Sequence, residues 1–287
     1  MKKFISLVLA GLMVFALASC GGGGGTTATQ ATTAATAAAT EATTAATTAA
    51  TTAAADTFEL GLITDLGTID DKSFNQGSWE GLVQYAQEAN IPHKYYQPTE
   101  QSDAAYLDGI ELAVKGGAKL IVTPGFLFEV PIYMAQDQYP DVNFVLVDGN
   151  PHDADYNYRT EKNVVGITYA EEQSGFLAGY AAVKDGYTKL GFMGGMAVPA
   201  VVRFGFGFVQ GAEYAAQEMG ISGVTVNYHY TGGFDATPEA QAMAASWSND
   251  GVEVIFACGG AVGFSVMAAA EASGAKVIGV DVDQSGE

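Results

Sequence analysis

The sequence has 287 residues, of which 48% are apolar, enough for one large or two small domains. Its 12 basic and 32 acidic side chains give a formal net charge of −20. This charge argues against nucleic acid as a partner, because binding a phosphate backbone needs clustered Lys and Arg side chains. It suits an exported surface protein but identifies no ligand.

The N-terminus carries the features of an export signal. Lys2 and Lys3 precede an apolar stretch, 4–18, that is too short for a comfortable membrane span. It ends in Leu-Ala-Ser-Cys, which resembles the lipobox of bacterial lipoproteins. The resemblance implies that residues 1–19 are removed and that Cys20 receives acyl chains such as palmitate, which anchor the protein on the extracytoplasmic face of the cell membrane. The alternative is an ordinary signal peptide with an incidental cysteine. Acylation would anchor the chain firmly, since each buried CH₂ contributes about 0.8 kcal/mol.

The segment that follows, 20–55, contains glycine and then almost only threonine and alanine. It has neither a charged face nor an apolar stripe that could dock on a folded domain. We expect a disordered linker that spans on the order of 30 Å.

From residue 58 onward, short apolar runs alternate with amphipathic segments. Nine strands are predicted, at 58–64, 93–96, 120–123, 143–147, 164–168, 189–193, 223–228, 254–257 and 277–280. Seven helices are predicted between them, at 74–90, 103–116, 129–138, 171–185, 200–219, 237–248 and 261–273. This alternation favours an α/β fold with parallel sheets. Because the series breaks near 163–169, we expect two Rossmann-like lobes joined by a hinge, 56–165 and 166–283, with 284–287 starting a return to the first lobe.

Acidic residues directly follow three of the predicted strands. These are Asp65, Asp148 and Asp281, and a glycine pair that includes Gly260 follows a fourth strand. The carboxyl ends of parallel strands meet at a ligand-binding crevice, so we expect these residues to converge there. Any single Asp could instead serve only a turn or a helix cap. Asp70, Asp71 and Ser73 are better explained as caps of the following helix.

Two phenyl rings complete the predicted site. Phe74 lies beside Asn75 in the first loop, and Phe234 lies in a loop of the other half. Rings from opposite lobes could stack on the two faces of a planar group. Alternatively, either ring could only fill space in the core or at the hinge. Carboxylates only accept hydrogen bonds and repel anions. The pattern therefore predicts an uncharged ligand with a flat end and a hydroxylated end, a nucleoside rather than a nucleotide.

Motifs for catalysis are lacking, and we expect no enzyme, no cofactor and no metal site. There is no Gly-x-Ser-x-Gly elbow and no phosphate-binding Walker loop. The three histidines have no metal-ligand spacing and are expected to be solvated or at strand ends: His93, His152 and His229. The glycines at 205, 207 and 211 predict close helix packing, and Arg203 beside them is expected to be solvated or salt-bridged. Cys258, in an apolar run, is expected to be buried and unpaired.

Five motifs are spread over the part of the sequence that is predicted to fold. The most extensive is Asp-Leu-Gly-Thr-Ile-Asp-Asp-Lys-Ser-Phe-Asn at 65–75. The later ones are Gly-Gly-Met-x-x-Pro at 194–199, Phe-x-x-Gly-Phe at 204–208, Thr-Gly-Gly-Phe-Asp at 231–235 and Gly-Val-Asp-Val-Asp-Gln at 279–284. Together they resemble the basic membrane protein family of bacterial lipoproteins, and the resemblance covers 58–287.

The family implies a type I periplasmic-binding-protein fold and a substrate-binding subunit of an ABC importer, with purine nucleoside receptors among its members. By motif position it implies stacking on the purine by Phe74 and Phe234. Hydrogen bonds would come from the remaining site residues: Asp65, Asn75, Asp148, Gly260 and Asp281. Permease subunits are the implied partners.

The chain departs from the family in two places. Gly67-Thr68 stands where the family often has Gly-Gly, and the sequence stops at Glu287, before the helices, the returning strand and a ligand-contacting lysine found in the family. We therefore expect a C-terminally truncated fold with an exposed edge in the first lobe. Competing hypotheses are a sugar or autoinducer binder of the same fold, a surface sensor or adhesin with a protein partner, and an enzyme of flavodoxin or dehydrogenase type.

Overall fold

In the computed structural model, residues 58–286 are described, and they form two parallel β-sheets flanked by helices. The predicted signal peptide, Cys20 and the linker lie outside these residues. All nine predicted strands and all seven predicted helices are present, with ends that differ by a few residues. A 3₁₀ turn, Phe126–Phe128, was not predicted. The predicted α/β fold with two parallel-sheet lobes is confirmed.

The first lobe is built on five strands in the order β2-β1-β3-β4-β5. These are β1 Leu60–Ile63, β2 His93–Tyr96, β3 Leu120–Pro124, β4 Asn143–Val147 and β5 Val164–Ile167. The register pairs Leu60 with both His93 and Leu120. The helices of this lobe are α1 Phe74–Ala89, α2 Asp103–Lys115 and α3 Glu129–Gln138. The outer strand β5 exposes Val165 and Ile167, as expected for an uncovered edge.

The second lobe has four strands in the order β7-β6-β8-β9. These are β6 Lys189–Gly194, β7 Thr225–Tyr230, β8 Val254–Cys258 and β9 Lys276–Ile278. Its helices are α4 Glu171–Lys184, α5 Pro199–Met219, α6 Pro238–Asn249 and α7 Val262–Ser273. Among residues 58–286, no helix is long and apolar enough to cross a membrane.

Each sheet is covered on both faces because neighbouring residues of a strand point to opposite sides. In the second lobe, Phe192 and Phe256 pack toward α4 and α5. Met193 and Ile255 pack toward α6 and α7. Strands buried on both faces are typical of parallel sheets, which explains their continuous apolar sequences. Cys258 is buried and free, as predicted.

Helices α4 and α5 pack so closely that only glycine fits between them. A Cβ atom on Gly211 would lie 2.7 Å from the carbonyl carbon of Phe176, and one on Gly179 would lie 2.8 Å from that of Phe208. Gly175 and Gly207 meet the opposite backbone in the same way. The predicted role of the glycines at 205–211 in close packing is confirmed. We call these four residues, Gly175, Gly179, Gly207 and Gly211, the glycine seam.

Candidate ligand-binding site

A cavity of about 1090 Å³ lies where the carboxyl ends of both sheets face each other. Both lobes contribute to its walls. The structure brings all seven residues predicted to bind a ligand to this one cavity: Asp65, Phe74, Asn75, Asp148, Phe234, Gly260 and Asp281.

The loop after β1 is held by its own polar side chains. Asp65 Oδ1 accepts hydrogen bonds from the backbone N–H of Gly67, at 2.7 Å, and from Asn75 Nδ2, at 2.9 Å. Burial raises the pKa of Asp65, and these two hydrogen bonds oppose the rise. The carboxyl group is thus fixed at the cavity wall before any ligand arrives.

The start of α1 places Phe74 in the cavity. Asp71 caps the helix, because its carboxylate accepts from the backbone N–H groups of Ser73, Asn75 and Gln76 at 2.9, 3.2 and 3.0 Å. The prediction that Asp71 is a cap is therefore confirmed. For Ser73 it was wrong, because its hydroxyl makes no capping bond and donates instead to Asp281. Asp70 is exposed.

The two phenyl rings enter the cavity from different lobes. Phe74 lies in the first lobe, where a Cβ atom on Gly125 would come within 3.9 Å of its ring. Phe234 lies after β7 in the second lobe and packs against Gly260. A Cβ atom added to Gly260 would lie 3.3 Å from the Cβ atom of Phe234. Both rings are half-buried, so each keeps a surface that a ligand could cover.

Asp281 links the two lobes. It follows β9 in the second lobe, and its Oδ2 accepts a 2.5 Å hydrogen bond from Ser73 Oγ of the first lobe. Its surface is open to the cavity, yet the surrounding walls remove enough water to raise its pKa to about 6. The hydrogen bond from Ser73 opposes this rise, and the charge of Asp71 adds to it. A second link lies nearby, where Gln284 Nε2 donates to the backbone carbonyl of Lys72 at 2.6 Å.

Asp148 lies in an acidic pair with Glu171, beside one cation. It follows β4 with a left-handed φ of 66°, which turns its carboxyl group toward α4. Glu171 is the first residue of α4, and its Oε2 accepts a 2.5 Å hydrogen bond from Arg203 Nε of α5. Arg203 Nη2 is 3.8 Å from Asp148 Oδ1. Burial, followed by the close approach of Glu171 and its negative charge, raises the pKa of Asp148 to about 8.

Several polar residues that line or support the site were not predicted as part of it, among them Glu171, Glu129 and His152. Glu171 lines the cavity, and Glu129 and His152 form a buried pair, with Glu129 Oε2 and His152 Nε2 3.1 Å apart. The prediction that His152 is solvated or at a strand end was wrong, since it is 3% exposed. The pair fixes the segment after Asp148, because Glu129 Oε1 also accepts from the backbone N–H of Asn150. The sequence did contain a signal for Glu129 and Glu171, since each is a carboxylate in the first turn of a helix that follows the end of a strand.

Arg203 is salt-bridged, which is one of its two predicted states.

The comparisons with known proteins agree with this geometry. Residues 58–287 match the Bmp family, described as "ABC transporter substrate-binding protein PnrA-like". The chain belongs to this family. It is a family of substrate-binding proteins rather than of enzymes, as predicted.

Two relatives and two solved structures illustrate the similarity. The chain is 34% identical to the ABC transporter nucleoside-binding protein BmpA of Lactococcus lactis, over 78% of this chain and 63% of the relative. It is 31% identical to basic membrane protein A of Borreliella burgdorferi, over 79% of this chain and 64% of the relative. An ABC transporter solute-binding protein from Aeropyrum pernix superposes with a TM-score of 0.67 at 26% identity, covering 77% of this chain and 61% of that one.

A sugar-binding protein of an ABC transporter from Bacillus halodurans has a TM-score of 0.59 at 17% identity, covering 79% of this chain and 75% of that one, and shares the fold alone. The chain spans less than two thirds of the length of the two curated relatives named above.

Proposed function

We propose that this protein is a lipid-anchored, extracytoplasmic receptor that captures nucleosides, foremost purine nucleosides, for an ABC importer. The observation that carries the proposal is the meeting of two phenyl rings and three aspartates, from both lobes, at one cavity. The name of the Lactococcus relative, a nucleoside-binding protein, supports the same ligand class.

The chemistry of the walls favours an uncharged ligand that has a planar part and a hydroxylated part. Phe74 and Phe234 would stack on the two faces of a base, and stacking contributes about 1–3 kcal/mol per base in single-strand binders. Carboxyl groups such as Asp65 and Asp281 would accept hydrogen bonds from ribose hydroxyls or from N–H groups of the base. A phosphate group would be repelled by these acids, which separates nucleosides from nucleotides.

Capture would involve closure of the two lobes. The cavity, at about 1090 Å³, is slightly larger than the usual range of about 300–1,000 Å³ for small-molecule sites. We take 56–165 and 166–283 as the two moving bodies, which would rotate about the connection between β5 and α4 and bring both rings onto the ligand. The closed form would be the one that permease subunits recognise, and no covalent step is involved.

Membrane attachment rests on the lipobox-like sequence that ends at Cys20. A Cys20→Ser variant should be released from membranes and should not incorporate labelled palmitate. The wild-type chain should stay attached to membranes and should incorporate the label. Equal membrane attachment of the two chains would exclude the lipid anchor.

Calorimetry on the full chain with guanosine, inosine, adenosine and ribose tests the ligand class. We expect binding of at least one purine nucleoside, and much weaker binding of its 5′-monophosphate. Binding of ribose without any nucleoside would reject the stacking site and favour the sugar-binding alternative. Binding of none of the four would reject the proposed function for this chain.

A further inference from the structure

Asp148, Glu171 and Arg203 form a charge cluster that joins three elements at the edge of the cavity. Asp148 follows β4, Glu171 begins α4, and Arg203 lies in the second turn of α5. The side chains of Asp148 and Glu171 are only 11% and 3% exposed, whereas that of Arg203 is 38% exposed. Two carboxyl groups are therefore withdrawn from water beside a single cation.

The hydrogen bonds of this cluster are incomplete if both acids are ionised. Within the described part of the chain, Asp148 Oδ1 and Glu171 Oε1 are buried and have no hydrogen-bond partner. A buried polar atom without a hydrogen-bond partner destabilises the folded state, and more so when it is charged. Arg203 cannot serve both acids equally, since its Nε is 2.5 Å from Glu171 but its Nη2 is 3.8 Å from Asp148. A proton shared between the two carboxyl groups would let one acid donate to the other and would remove one negative charge.

We propose that Asp148 carries a proton that it shares with Glu171, and that it therefore offers the ligand a hydrogen-bond donor. Glu171, held by Arg203, is a positioning residue for this proton. The inference rests on the proposed function for the identity of the ligand, but the shared proton itself does not depend on it. A protonated carboxyl group both donates and accepts, so Asp148 would contact an acceptor atom of an uncharged ligand, such as a base carbonyl or ring nitrogen.

The surrounding charges support this assignment. Burial raises the pKa of Glu171, but hydrogen bonds from Arg203 and Asp148 outweigh it, so the net direction is downward while that of Asp148 is upward. The proton thus belongs to Asp148. The other groups that face Asp148 are Asp281 after β9, Tyr169 before α4 and Cys258 at the end of β8. The charge of Asp281 also favours the protonated form of Asp148.

The first test follows the carboxyl carbon of Asp148 by NMR as the pH of the ligand-free full chain is changed. We expect Asp148 to titrate near pH 8 in the wild-type chain and at lower pH in Glu171→Gln, because the amide cannot share a proton as an acid does, while burial keeps the pKa of Asp148 above its ordinary value of 3.8. Glu172→Gln is the matched control, since Glu172 is the exposed neighbour on the same helix. Titration of wild-type Asp148 in the ordinary range, or an unchanged titration in Glu171→Gln, would overturn the proposal.

The second test measures the affinity for inosine by calorimetry between about pH 6 and pH 10, a range that contains the expected titration. If the ligand needs the protonated form, the wild-type Kd should rise about tenfold per pH unit above the titration of Asp148. Inosine loses its own ring N–H proton in the alkaline part of this range, which adds the same rise in every variant. In Glu171→Gln the rise that belongs to Asp148 should begin at lower pH, and in Glu172→Gln it should be unchanged. A step from Asp281 would lie near pH 6 and is separate.

The outcomes of the two tests are distinguishable. If inosine and the other nucleosides do not bind, the proposed function fails, while the NMR titration still decides where the proton lies. If Asp148 titrates near pH 8 but the affinity for inosine shows no step there, the role of Asp148 as a donor to the ligand is wrong.

Discussion

The glycine seam allows a quantitative test of how α4 and α5 position the site, since Glu171 and Arg203 lie at the beginnings of these helices. The change is Gly211→Ala, two turns beyond Arg203 and inside α5. The added Cβ atom would lie 2.7 Å from the carbonyl carbon of Phe176 and closer still to its oxygen. Carbon atoms in contact prefer about 3.5–4.0 Å, so the two backbones would have to separate by about 1 Å.

The expected loss of stability follows from two opposing effects. Overpacking costs about 1–3 kcal/mol, and here the obstacle is backbone, which cannot rotate away. Alanine in place of glycine favours a helix by about 0.5–1 kcal/mol. We therefore expect Gly211→Ala to lower the free energy of unfolding by about 1–2 kcal/mol. In a chain of this size each kcal/mol changes Tm by about 2–4 °C.

Thermal unfolding of the ligand-free chain measures this change. Gly81→Ala is the matched control, because Gly81 is an exposed position in α1 where an added Cβ atom meets nothing within 4 Å. Only the gain in helix propensity remains there, so Tm should rise by about 1–4 °C. The two identical substitutions should thus have opposite effects. A Gly211→Ala chain as stable as the wild type would refute the claim that the seam is closed to a methyl group.

Three further predictions concern the cavity. Phe74→Ala and Phe234→Ala should each weaken the binding of guanosine about 5- to 150-fold by calorimetry, corresponding to about 1–3 kcal/mol per stacked ring; unchanged affinity in both would show that the rings do not stack on the ligand. Ser73→Ala removes a hydrogen bond that lowers the pKa of Asp281, so this pKa should rise above about 6 in an NMR titration. Because the folded pKa of Asp281 exceeds its ordinary 3.8, its contribution to stability is complete below pH 3.8 and is lost as the pH rises through about 6. Asp281→Asn should remove this dependence from urea unfolding curves, and a dependence that persists would assign it to another group.

Local patterns in the sequence predicted the elements and the convergence of the aspartates. Strands such as β8, whose residues are all buried, appear in the sequence as continuous apolar runs. Because strands and helices alternate, the strands are parallel and their carboxyl ends lie at the same edge of the sheet. Asp65, Asp148 and Asp281 could be placed together by that reasoning alone. The bond between Ser73 and Asp281 could not, because it joins residues 208 positions apart and depends on how the lobes meet. His152 was misjudged for a related reason, since its partner Glu129 lies 23 residues earlier in the chain, at the start of α3.

The protonation state of the site is the property that the sequence predicts least well. A net charge of −20 and aspartates at strand ends predict a cavity that only accepts hydrogen bonds. The structure instead places Asp148 beside a second acid, Glu171. The nearby Arg203, 32 residues beyond Glu171, hydrogen-bonds to Glu171 rather than to Asp148. These contacts decide which acid keeps its proton, because the two acids differ in burial and in their distance from Arg203. No pattern in the sequence contains these differences. An acidic cavity can therefore donate hydrogen bonds as well as accept them, and the acceptor atoms of a base become as important for recognition as its N–H groups.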